Sequence, residues 1–272
     1  MFKNYLKIAW RNLLKNKGFT FINIIGLSIG VAACILISVY IVHETSYDKQ
    51  IANSENVYRM IGTYAIDGRT ETGIHFSANT APTVLEDFAE VENSGRLMAN
   101  GLFYGAGSNE IRIEDQAMQH HETGFAYADQ SFLDIMDVEM VHGDATTALS
   151  EPKTIVISES VAFKHFNDAN PVGKVMYLNG NIDDPFRING VMKDFESNSH
   201  LDYDFFLTME GVEFGEGEQT RWFQNNYFTY IVLRPDTGVA AFQKKMSNTL
   251  IQTYLKPTFL AAGFVQGETL ED

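Results

Sequence analysis

The chain has 272 residues, with 20 Lys plus Arg against 35 Asp plus Glu and a formal net charge of −15. That balance excludes nucleic acid as a partner, because a phosphate backbone needs a basic face. One cysteine excludes an internal disulfide.

Residues 1–18 hold Lys3, Lys7, Arg11, Lys15 and Lys17 and no acid. Phe2, Tyr5, Leu6, Ala9, Trp10 and Leu13 recur at helical spacing. Lys3, Lys7, Arg11 and Lys15 run four residues apart on another face. This pattern predicts a basic amphipathic helix on an anionic leaflet, with Trp10 among the headgroups. Lys3, Lys7, Trp10, Arg11 and Lys15 are the candidate membrane-interface residues. The plainer reading is a topology signal with no partner of its own, since charge bias alone orients a span.

From Phe19 to Val42 there is no Asp, Glu, Lys or Arg, and Asn23 is the only amide side chain. A helix of that length would run about 36 Å, enough to cross a hydrocarbon core about 30 Å thick. Lys and Arg beside a span stay cytoplasmic. The N-terminus is therefore expected inside, and the chain from about His43 across the membrane, in the periplasm of a Gram-negative cell. A cleaved signal peptide has a shorter apolar core and small residues before its cut; Val39-Tyr40-Ile41-Val42 offers no such site. Val31-Ala32-Ala33-Cys34 has the form of a lipobox, yet Ile35-Leu36-Ile37 follows where a lipoprotein turns polar. The expectation is a single-pass anchor in the inner (plasma) membrane. Inside it Gly26 and Gly30 form G-x-x-x-G, whose small residues admit another helix closely.

The remaining chain reads as mixed α and β, long enough for one large domain or two subdomains. Val57 to Ile61 is a predicted strand leaving the membrane, and Pro82 to Val91 a short helix with Val84, Leu85 and Phe88 on one side. Glu110 to Glu114 alternates as a half-buried strand should. Phe125 to Ala128 leads into Asp129 and then a helical turn over Phe132 to Met136. Thr154 to Ile157 is a strand, and Ser158 caps a helix ending near Phe166. Val175 to Leu178 followed by Asn179-Gly180 reads as strand and turn. Phe186 to Val191 and Tyr227 to Leu233 are further strands, Gly211 to Gly217 an acidic exposed loop, and Val239 to Tyr254 a helix.

The opening Phe2-Lys3-Asn4-Tyr5-Leu6-Lys7-Ile8-Ala9-Trp10-Arg11-Asn12-Leu13, continued by Lys15-Asn16-Lys17-Gly18-Phe19 and by Phe21 to Gly30, resembles the start of MacB/FtsX-type ABC transporter permeases. Glu44-Thr45-Ser46-Tyr47-Asp48 and Asn56-Val57-Tyr58-Arg59 resemble that family's exit segment. Ala128-Asp129 with Phe132-Leu133-Asp134, Gly143-Asp144 with Ala148 to Pro152, Ile157 to Ser160 with Asn170 to Lys174, and Gly190 to Asp194 with Asn198-Ser199-His200-Leu201 look like its core. The matches cover about residues 1–250.

The resemblance implies an α+β fold: one transmembrane helix (19–42) after a cytoplasmic basic helix (1–18), then a MacB-like periplasmic core (43–254) and a tail (255–272). Permeases of this type carry three further helices beyond the core, which would begin where the tail stands. They work as dimers with a separate or fused ATPase and transmit motion across the membrane. The implied function is a non-catalytic permease subunit, or a fragment of one, of an export or mechanotransmission complex. Its implied partners are the lipid bilayer, a homodimeric or related permease copy and an ATPase subunit. A stand-alone membrane-anchored periplasmic binding or sensor module is the alternative, and the reading frame beyond codon 272 discriminates them.

No catalytic or cofactor-binding residue stands out. There is no G-x-x-x-x-G-K-[ST] loop; Gly173-Lys174 lacks both the upstream glycine and the following hydroxyl. His120-His121 with His142 or His165 fits no ordinary metal spacing. His200 with Asp202 and Asp204 is the most acid/base-like group, but Asn198-Ser199-His200 reads as turn chemistry. Asp183-Asp184-Pro185 reads as a turn as well. Phe205-Phe206, Trp222-Phe223 and Tyr227-Phe228 read as core aromatics.

Overall fold

The computed structural model describes residues 2–49, 51, 53–66, 69–114, 116 and 118–263. The chain divides into two units: residues up to 49 together with 197–200, and the rest.

In the first unit α1 (Phe2–Lys15) is followed by α2 (Lys17–Thr45). Asn16 alone separates them, at φ −109° and ψ 56°. The hydrogen bonding barely lapses there. The Asn16 amide donates to Asn12 O at 3.1 Å, and Thr20 Oγ1 donates to Leu13 O at 3.0 Å. The 29 residues of α2 give a rod of about 43 Å, longer than a hydrocarbon core of about 30 Å. The apolar stretch predicted from the sequence lies wholly inside α2, while Lys17 and Gly18 join this helix rather than the basic one.

The second unit is built on strands. In chain order they are β1 (Val57–Arg59), β2 (Gly62–Ile66), β3 (Arg69–Gly73), β4 (Val91–Met98), β5 (Gly107–Ile113), β6 (His120–Ala128), β7 (Met140–Gly143), β8 (Thr154–Ser158), β9 (Val175–Leu178), β10 (Phe186–Met192), β11 (Phe205–Thr208) and β12 (Phe228–Leu233). The helices are α3 (Thr80–Asp87), α4 (Gln130–Ile135), α5 (Glu159–Phe166), α6 (Val239–Thr249) and α7 (Lys256–Ala261). β2 and β3 pair only with each other; the other ten strands share one sheet.

That sheet closes on itself in part. β6 pairs β11, then β8, β10, β9 and β5 follow, and β5 pairs back onto β6. The result is a six-stranded ring. One edge of β6 carries β5 along His120–Phe125 and then β4 from Tyr127 to Ala128; the other edge carries β11. β4 thus starts a three-stranded wing, β4-β12-β1.

Strand alternation assigns the two faces. Ile111, Phe125, Ile155, Met176, Ile188 and Phe205, one from each ring strand, belong to a single buried cluster that fills the ring. Their neighbours Ala126, Val156 and Phe206 face a second cluster under α4, with Phe132, Leu133 and Met136. A strand buried on both faces must read as a continuous apolar run, as Thr154–Ser158 and Phe205–Thr208 do. A third cluster packs Val84, Phe88, Ile231, Leu233, Phe242 and Leu250 between α3, the wing and α6.

Ring and wing share β6, and the residues around them form one unit. The helix expected over Pro82 to Val91 starts at Thr80 and stops at Asp87, and Val91 opens β4 instead. The sequence reading names no element over the rest of β4, where a Cβ on Gly95 would lie 2.7 Å from the backbone N of Phe132; only glycine lets α4 sit on this strand. The final helix widens into a π-turn over Leu250–Leu255 and resumes as α7, past the expected end at Tyr254. Pro257 has no N–H and collides with the carbonyl four residues back, so the turn before it opens. Residues 264–272 of the expected tail lie outside the described residues.

Candidate membrane anchor and its exit turn

On α1 the Lys3, Lys7, Arg11 and Lys15 side chains are exposed, and so are Tyr5, Ile8, Trp10 and Leu13. The side chains of Phe2 and Leu6 lie outside the described residues. Exposed apolar side chains opposite a lysine row match what a leaflet surface requires. No residue of α2 is buried. Gly26, Gly30, Cys34 and Ser38 fall four apart, and Gly26 and Gly30 have nothing within 4 Å of where a Cβ would sit. The residues Gly26 to Gly30 also spell G-x-S-x-G, which corrects the reading of the sequence as free of that motif. They lie inside a continuous helix, without the strand-to-helix elbow that exposes a nucleophilic serine.

Beyond Thr45 the helix ends in a turn with an unusual partner. Ser46 N and Ser46 Oγ both donate to His43 O, at 3.1 and 2.8 Å. Asp48 takes φ +56°, a left-handed conformation that Asp tolerates. Its N–H donates to Asn198 O at 3.0 Å. Asn198 Nδ2 donates to Ser46 O at 3.1 Å and to Ser46 Oγ at 3.0 Å. The Asp48 carboxylate accepts from His200 N at 2.8 Å and stands 2.9 Å from His200 Nδ1. A segment about 150 residues downstream therefore supplies partners to the C-terminal end of α2. The pairing was invisible in the sequence; the only cue was that both segments belong to the resemblance.

This turn separates the acid/base trio proposed from the sequence. His200 goes to Asp48, while Asp204 Oδ1 accepts from Ser158 Oγ at 2.8 Å. Ser158 is the cap that the sequence indicated, accepting from Val161 N at 3.3 Å. His120 and His165 are brought together, rings 4.8 Å apart, but the His165 Nε2 partner is Glu122 at 2.8 Å and Lys164 holds the same carboxylate at 2.7 Å. Burial depresses the His165 pKa against the pull of Glu122. For Glu122 burial pushes upward, and Lys164 and His165 outweigh it, so its pKa falls. Asp184 pairs with Lys153 at 2.7 Å. Of the paired aromatics, Phe205, Phe206 and Tyr227 are buried; Trp222 stacks on Tyr254 and the more exposed Phe223 meets Phe259 edge-on.

A mostly buried ion pair is one that sequence reasoning missed. Arg96 on β4 forms a two-pronged pair with Asp129, Nε to Oδ2 at 2.8 Å and Nη2 to Oδ1 at 2.9 Å. Its backbone N–H also reaches Oδ2, and Nη1 donates to Ala78 O and Gln219 Oε1. Every group here is partnered inside the protein, so the site is a brace rather than a ligand pocket.

Three solved domains are similar to parts of this chain. A domain of a permease protein from Porphyromonas gingivalis is 23% identical, with a TM-score of 0.62, over 74% of this chain and 85% of that one. The periplasmic region of MacB from Actinobacillus actinomycetemcomitans is 14% identical with a TM-score of 0.48, over 72% and 82%. The extracellular domain of the noncanonic ABC-type transporter YknZ from Gram-positive bacteria is 15% identical with a TM-score of 0.49, over 72% and 92%. No curated protein matches. The description "MacB-like periplasmic core domain" fits residues 20–249, from within the apolar helix to the end of α6, and the chain belongs to that family.

Proposed function

We propose that this chain is a non-catalytic permease subunit of a MacB/FtsX-like ABC export or mechanotransmission complex. One observation carries the reading: a MacB-like core continues directly from an apolar helix of spanning length, preceded by five basic residues and no acid. The helix anchors the chain in the inner membrane, the N-terminus stays cytoplasmic and the sheet unit lies in the periplasm. Lys3, Lys7, Arg11 and Lys15 face anionic headgroups with Trp10 at the interface. Gly26 and Gly30 form the face on which a second copy or a related permease packs. Energy comes from a separate ATPase, since the sequence holds no phosphate-binding loop with its lysine and metal-binding hydroxyl.

The test is topology and ATP handling on one preparation. In a Cys34→Ala background, a cysteine replacing Asn12 should be shielded from a membrane-impermeant thiol reagent in intact cells. One replacing Glu216 should react once the reagent reaches the periplasm. The reverse pattern refutes the orientation. The purified chain should not turn over ATP, and co-expression with an adjacent ATPase gene should co-purify the two; turnover by the chain alone refutes the non-catalytic role.

A further inference from the structure

We infer that residues 197–200 are a clasp on the outer end of the span, which makes the exit turn and the β10–β11 connection move as one. The inference rests on the mechanotransmission reading for its purpose, but not for its geometry. Five polar links join Ser46 and Asp48 to Asn198 and His200, all between 2.8 and 3.1 Å. They are reciprocal. Asn198 gives a backbone acceptor to Asp48 and a side-chain donor to Ser46; Asp48 returns a side-chain acceptor to His200. No single rotamer change releases the turn.

A helix ends with four carbonyls lacking intrahelical partners, and an unclamped end frays. Here Ser46 recruits His43 O, and Asn198 in turn fixes Ser46. A hinge with one covalent exit absorbs displacement by backbone rotation. The direct path from Lys49 leads by way of a short 3-10 turn, Ser54–Asn56, to β1 at the rim of the wing. The clasp adds a second path, into the connection between β10 and β11. Both are interior strands of the ring. Displacement of the span then reaches interior strands of the ring through the chain, and not only β1.

The experiment uses the full chain in lipid nanodiscs without an ATPase, so the outcome is independent of whether an ATPase couples. Amide exchange is read at Asp48 and His200, both clasp donors, and at Phe205 to Thr208 as a folding control. Both donors should be protected in the native chain. Asn198→Ala should speed exchange at Asp48 by roughly tenfold, the effect of losing one or two hydrogen bonds, with β11 unchanged. Asp48→Ala should do the same at His200. Spin labels at Glu44→Cys and Ser197→Cys, with Cys34→Ala, should give a narrow distance distribution that broadens in Asn198→Ala. Unprotected native donors, or a distribution equally broad with and without Asn198, overturns the clasp. Should Asn198→Ala disturb β11, Ser46→Ala, which removes only the hydroxyl links, replaces it and is held to the same criteria.

Discussion

Replacing Asp129 with alanine isolates the cost of breaking the brace around Arg96. The guanidinium side chain is 13% exposed and Asp129 21%, so neither charge is well hydrated. Asp129→Ala strands a buried cation and removes three acceptor contacts, two from the side chain and one from the Arg96 N–H. Breaking one side of a buried pair costs about 3–5 kcal/mol. The residual exposure and the surviving contacts to Ala78 O and Gln219 place this case near the lower bound, about 3 kcal/mol. Arg96→Met with Asp129→Leu removes both charges; what remains is two acceptors without their donor and the backbone N–H of residue 96 without its acceptor, about 1–3 kcal/mol. The double variant should therefore be more stable than the single one. Urea melts of full-length protein in mild detergent, followed by near-ultraviolet circular dichroism, measure both. A single variant that costs under about 1 kcal/mol, or no more than the double, refutes the argument that charge burial sets the stability here.

Ser158→Ala removes the α5 cap and the donor to Asp204, and should lower stability by about 2 kcal/mol in the same melts; Ser158→Thr should retain most of it. His165 has a folded pKa below its ordinary 6.5, so its stabilising share is complete above that value and is lost as pH falls through the folded pKa. Glu122, held below its ordinary 4.5, adds a second loss beneath that value. Melting midpoints should thus fall from pH 7 to 5.5, and His165→Gln should flatten that first segment; an unchanged slope counts against the assignment. Residues 51–263 expressed alone should be soluble and unfold cooperatively, and a chelator should leave the melting temperature where it was.

The parts of this fold that local chemistry dictates were legible in the sequence. Thr154–Ser158, the Ser158 cap, Val175–Leu178 and the left-handed Asn179-Gly180 turn announce themselves through run length, hydroxyl placement and turn residues. What failed was whatever distant chain decides. β4 carries Glu92, Asn93, Ser94 and Gly95, and becomes a strand only because β12 and β6 flank it and α4 needs the glycine. β11 has four residues, too few for any period to show. The anchor was plain from composition, but the clasp was not, because a hydrogen bond between Asp48 and Asn198 leaves no spacing to read. His200 looked chemical for the same reason: its partner is far along the chain.

The position of β12 sets when this sheet can exist. β1 and β4 do not touch each other; β12 inserts between them, and its residues leave the ribosome about 130 positions after those of β4. Until then β1 has no sheet neighbour and one edge of β4 stands open. The ring has a similar wait, since β6 is joined to β8 only through β11. At about 5–20 residues per second, those edges stay unpaired for roughly 7 to 26 seconds on the nascent chain. Contacts so remote slow the search for the native state. Assembly is therefore a late event in which the last strand completes what the first ones began, and a chain stopped before Phe228 would leave β1 and β4 with sticky rims.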